Sequence, residues 1–147
     1  MGAALWWLSC VWSRPPCVAL VYRVRHRKHP FRFMNHYLIS FPSSAMDHLS
    51  AADMPSVSES AHAVIHEAKA MGVYVFGGGI DEQVAPVLVA ANGTVVPETY
   101  PETKKLNGGF CVLRLATRQE AEIWAAKIAA GCRCAQELRQ FMFDPQS

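Results

Sequence analysis

A phenol, a carboxylate and an ammonium fall within five residues in Tyr100-Pro101-Glu102-Thr103-Lys104, a stretch that continues through Leu106-Asn107 to Gly108-Gly109-Phe110. Such a trio on a loop can orient a small polar or aromatic ligand, provided that apolar neighbours supply the contact area. A second glycine run, Gly77-Gly78-Gly79-Ile80, has Gly78 at its centre and lets backbone approach such a ligand closely. His36, on the polar side of an opening strand with Leu38 and Ser40, adds an imidazole. The ligand-binding candidates are therefore His36, Gly78, Tyr100, Glu102 and Lys104, with acid–base chemistry by His36 or Glu102 as the most concrete version. No nucleophile–base constellation accompanies them, so no catalytic residue is assigned. A buried Glu102–Lys104 pair could instead hold the loop against a dimer partner.

The remaining reactive groups point to no cofactor. His62 and His66 stand four residues apart on one helical face, but a third metal ligand is lacking and Glu59 and Lys69 share that face, which suits a solvated surface. Cys132-Arg133-Cys134 matches no structural zinc spacing. The three glycines at 77–79 are followed by neither Gly-Lys-Ser/Thr nor a helix, so they form neither a phosphate loop nor a dinucleotide fingerprint. No metal and no cofactor are expected.

Charge divides the chain in two. Residues 1–33 hold six basic residues and no carboxylate, while the remaining 114 residues hold eight basic and twelve acidic ones and carry −4. An acidic body without a basic, aromatic face argues against nucleic acid as a partner. The odd count of five cysteines at irregular spacing argues against a disulfide framework and for a reducing cytoplasm. The apolar runs at 3–12 and 17–22 are each shorter than the ~20 residues a spanning helix needs, and the basic block at 23–28 follows them rather than preceding them. Neither a membrane span nor a signal peptide is expected; residues 1–33 are read as a non-native or disordered extension ahead of a start at Met34.

From Met34 the elements that must position the candidates follow in order. A strand over 34–41 precedes a helix opened by a capping box, Ser56 with Glu59, whose buried stripe is Val57, Ala61, Val64, Ile65 and Ala68 and whose end is Gly72. A strand over 73–76 leads into the glycine run, and 86–97 read as a hairpin with Asn92-Gly93 in a type I′ turn. A strand over 109–115 and a second capping box, Thr117 with Glu120, open a helix with the stripe Ala121, Trp124, Ala125 and Ile128, ended by Gly131. A last strand covers 136–143. With the hairpin as an insertion, the order is that of an α+β, ferredoxin-like split βαβ domain with both helices on one face of the sheet. Apolar residues on both strand faces call for a second copy packed sheet to sheet, a homodimer.

Over residues 34–143 the chain resembles the YCII-related family, in the branch named after its DGPF motif. The resemblance rests on the strand from Met34, on Gly77-Gly78-Gly79-Ile80, on Tyr100-Pro101-Glu102-Thr103-Lys104 with Gly108-Gly109-Phe110, and on Trp124. It implies a dimeric α+β barrel of ferredoxin-like halves. Where the branch has Asp-Gly-Pro, this chain has Pro97-Glu98-Thr99. The His and Asp that the broader family suggests for catalysis fall at Ala61 and Ile128, and His62 is one residue off, ~100° round the helix. The resemblance therefore implies a domain of undefined activity that binds a small polar or aromatic ligand in a barrel pocket. It also implies an alternative, a non-catalytic interaction module tied to transcription regulation, since the branch includes fusions to sigma-type factors.

Overall fold

The computed structural model describes residues 34–146; the expectations for residues 1–33 lie outside the described residues. Strand β1 (Asn35–Phe41) is followed by a 3-10 turn (Ser43–Met46), helix α1 (Met54–Ala70) and strand β2 (Tyr74–Gly79). The short strands β3 (Leu88–Val89) and β4 (Val95–Val96) precede a second 3-10 turn (Pro101–Thr103), strand β5 (Gly109–Leu115), helix α2 (Arg118–Cys132) and strand β6 (Glu137–Gln140). Four strands form one sheet in the order β2-β5-β1-β6, with every neighbouring pair antiparallel. The fold is thus α+β, two helices on a four-stranded antiparallel sheet, and its strand order is compatible with the ferredoxin-like arrangement.

Alternation along β1 and β5 decides which face is buried. Tyr37 and Ile39 on β1 and Cys111, Leu113 and Leu115 on β5 point to the same side and form the core with Ala68 of α1 and Ala121, Trp124 and Ile128 of α2. Both helices therefore cover one face. The opposite face carries His36, Leu38 and Ser40 of β1, in register with Arg114, Val112 and Phe110 of β5, and Phe76 stands opposite Val112. Among the described residues, no helix is long and apolar enough to cross a membrane.

Local chemistry departs from expectation at four places. Helix α1 begins at Met54, two residues before Ser56, with Pro55 in its first turn, where the missing N–H costs nothing. Ser56 thus sits inside the helix and donates its hydroxyl to the Asp53 carbonyl at 2.9 Å. Asp53, at the helix entrance, accepts from both the amide and the hydroxyl of Ser50, and these bonds hold its carboxyl below its ordinary range. The end of α1 is as expected: Gly72 has φ +69°, its N–H meets the Lys69 carbonyl, and Val73 N–H returns to Ala68.

Helix α2 opens on Thr117, whose hydroxyl accepts from Glu120 N–H at 3.1 Å, while Glu120 reaches back to Ala116 N–H at 3.0 Å. It does not end at Gly131. That glycine is buried where the helices meet, and a Cβ there would stand 3.2 Å from Ala61 Cα and the Ser60 carbonyl. Arg133 takes the left-handed position instead (φ +53°), with Cys134 N–H returning to the Ala129 carbonyl. Its guanidinium meets Ser56 Oγ at 3.1 Å and Asp53 at 3.7 Å, and its carbonyl bonds His48 at 3.0 Å. These ties hold a conformation that is costly for a residue with a Cβ.

The hairpin exists, with Leu88 opposite Val96 and Val89 opposite Val95, but its turn is not type I′. Only Gly93 has positive φ (+86°), and Gly93 N–H bonds the Ala90 carbonyl, so Ala90 to Gly93 form an ordinary turn closed by a left-handed glycine. Asn92 uses its side chain instead, accepting from Thr94 N–H at 3.0 Å. Strand β6 is shorter than expected. Its ladder with β1 ends near Phe141 N–H to the His36 carbonyl, because β1 itself begins at Asn35, and residues 141–143 continue outside the sheet.

Candidate functional site

The sheet and the two helices part at one end. There the last residues of β1 and β2, the first of β5 and the inner faces of α1 and α2 enclose a cleft of about 660 Å³. That volume falls within the range of small-molecule sites. Glycines allow close packing around it. At Gly108 the chain lies directly on the backbone of residues 41–43, and a Cβ there would come within 2.7 Å of the Pro42 carbonyl carbon. At Gly109 a Cβ would meet the ring of Phe41, which lines the cleft, and at Gly77 it would stand 3.0 Å from the Phe110 carbonyl. Gly78 has open space before it, so backbone forms the wall there.

The floor is apolar: Ile39 and Cys111 from the sheet, Ile65 from α1, Ile128 and Cys132 from α2. Polar groups stand around it. Asn107 closes the glycine end, accepting from Ser43 N–H at 3.3 Å and donating to Ser43 Oγ at 2.7 Å. On the α1 side Lys69 lies over the Tyr74 ring, 4.9 Å from its centroid, and Tyr74 donates its hydroxyl to the Gly77 carbonyl at 3.4 Å. His62 shares a 3.3 Å hydrogen bond with Ser58 Oγ. Gln136 donates to the Cys134 carbonyl at 3.2 Å and to its sulfur at 3.3 Å.

The thiols are neutral at ordinary pH. Burial, and then the neighbouring Cys132, push the Cys111 thiol up to about 11. Burial, and then Cys134, push Cys132 up to about 11 as well. Neither is an activated nucleophile, since the thiolate is the reactive form. Among the described residues, no three His, Cys, Asp or Glu side chains gather to hold a metal ion.

The five candidates from sequence stand in separate places. Gly78 lines the cleft. His36 lies on the opposite face of the sheet, exposed, beside a hollow of about 370 Å³ with Met34, Phe141 and Met142. Lys104 lines a hollow of about 440 Å³ against Ile80, Val84 and Val87, outside the cleft. Tyr100 and Glu102 flank the second 3-10 turn and are exposed; the Tyr100 carbonyl accepts from both the amide and the hydroxyl of Thr103. Glu102 and Lys104 are both exposed in the single chain, and no ion pair joins them to one another or to other described residues.

Residues outside those five candidates make up the rest of the cleft. Ala61 and Ile128, at the positions of the implied dyad, both line it, and so do His62 and Lys69, which are exposed as the solvated-face reading expects. The cleft is wider than the buried stripe of α1, so residues at the edge of that stripe reach its mouth. The signal was available as a second stripe, His62, Ile65 and Lys69 at i, i+3 and i+7.

No family model and no curated protein matches this chain.

Proposed function

We propose that this is a small ligand-binding domain of the DGPF-like, YCII-related kind, and that its ligand occupies the cleft between helices and sheet. The observation that carries the reading is a 660 Å³ cleft whose floor is apolar and whose far wall is glycine backbone, with a few polar groups around the mouth. Ala61 and Ile128 line it, which supports a correspondence with the family's pocket. Both are apolar, so the family's suggested acid–base pair has no counterpart, and binding is favoured over that reaction.

A second copy completes the domain in this reading. Phe76 is 64% exposed on the uncovered sheet face, next to half-buried Val112 and Leu38, and the segment after β6 adds Met142, 94% exposed, and Phe143. Burying such a face against its two-fold mate forms the dimer that the strand pattern calls for. A protein partner of sigma-factor type would use the same face.

The test fills the cleft. Ile65 is half-buried and lines it, so Ile65→Trp adds bulk without emptying the core. A thermal-shift screen of small organic metabolites should find compounds that stabilise the wild-type chain and leave the variant unmoved. Equal stabilisation of both proteins, or none of either, would overturn the reading.

A further inference from the structure

Among the described residues, the lining of the cleft contains no aspartate or glutamate, although acidic residues outnumber basic ones from Met34 onward. Its basic side chains are Lys69 and His62, seven residues apart and therefore two turns apart along α1. The surroundings of Lys69 set it apart from the nearby Lys127. Both lie over aromatic rings, but Lys127, over Trp124, is also bonded to Glu67 at 2.5 Å, whereas Lys69, over Tyr74, has no carboxylate partner among the described residues. The ring attracts the ammonium to the cleft wall without neutralising it. Cys111 and Cys132 are protonated at neutral pH and add no negative charge inside. Ile65, Ile39 and Ile128 make the apolar part of the same lining.

Building on the ligand-binding reading above, we infer that the cleft takes an amphiphilic anion, with an aromatic or aliphatic body lying on Ile39, Ile65 and Ile128 and a carboxylate-type head group between Lys69 and His62. The physical reasons are two. A charge-assisted hydrogen bond to an ammonium is roughly twice as strong as a neutral one. A cation left without a partner in the apo state is also desolvated at no benefit by a neutral ligand. A cationic ligand of the same shape meets repulsion from Lys69 with no carboxylate to offset it. Other polar groups of the lining, such as Ser43, Asn107 and Gln136, are neutral and can contact the body without opposing the charge of the head.

The experiment is isothermal titration of the full chain with three isosteres: 2-naphthoate, 2-naphthamide and 2-naphthylmethylammonium. The expected order is naphthoate tightest, about tenfold over the amide, with the ammonium weakest. In Lys69→Gln, an exposed site whose change leaves the core intact, naphthoate should weaken about tenfold while the amide stays within about twofold. His62→Gln should weaken naphthoate alone, by a smaller factor. Circular dichroism checks that each variant folds. If the amide or the ammonium binds as tightly as naphthoate, and Ile65→Trp abolishes all binding, the anion class is overturned while the cleft remains a ligand site. If none of the three binds, or Ile65→Trp changes nothing, both readings fall together.

Discussion

Cys111 and Cys132 are the groups whose surroundings most alter their chemistry. Each thiol is raised from its ordinary 9.0 to about 11, first by burial and then by a neighbouring sulfur. In the unfolded chain the thiols ionise at their ordinary value, so between pH 9.0 and about 11 the unfolded state has lost protons that the native state still holds. Stability is then highest below pH 9.0 and falls as pH rises through this window. Urea unfolding at a series of alkaline pH values should show that fall, and in a Cys111→Ala, Cys132→Ala variant the slope should be shallower than in wild type. An unchanged slope would mean that the thiols are solvated. At this scale the sequence was informative about residue type but not about neighbourhood. Composition implied free cysteines, yet their shared position on the cleft floor depends on β5 and α2 packing together.

The helices show which local signals survive tertiary packing. Thr117 with Glu120 and Ser56 with Glu59 are equivalent on paper, but only Thr117 occupies a cap position. Thr117→Ala should therefore cost about 1 kcal/mol in denaturant unfolding. Ser56→Ala should stay within about 0.5 kcal/mol, since it removes only exposed bonds to Asp53 and Arg133. Equal losses would restore Ser56 as a cap. The difference arises because Pro55 fits the first turn of α1 and lets the helix begin earlier, at a point fixed by the Ser50–Asp53 turn. Gly131 teaches the same lesson. A glycine near a helix end reads as a terminator, but here close approach to Ala61 of α1 accounts for it, and that contact is 70 residues away in sequence.

At the scale of the whole molecule the two faces of the sheet are unequal. One carries the helices and the cleft; the other leaves Phe76 exposed beside Leu38 and Val112. In the proposed dimer this face meets its two-fold copy, so Phe76→Asp sets like charges in an apolar interface. Like-charge contact costs several kcal/mol, enough to weaken the dimer about a hundredfold. Sedimentation velocity should find a wild-type dimer and a monomeric variant. A wild-type monomer, or a variant as dimeric as wild type, would remove the face from the interface.

Most of the architecture was readable in the order of residues. Alternation in 35–41 and 109–115, the stripes of the two helices and Gly72 at the end of α1 are local patterns, set by backbone geometry and by which side must leave water. The cleft was not readable. Ser43 and Asn107, 64 residues apart, close one end, while Lys69 and His62 of α1 meet the glycines of β2 and β5 only when the sheet assembles. The Tyr100-to-Lys104 stretch drew attention because its side chains are chemically rich and close in sequence, but a 3-10 turn on an exposed loop spreads them outward. Proximity along the chain is a property of the sequence; a cavity is made by surfaces that come together from distant parts of it, and only tertiary packing decides which groups line it.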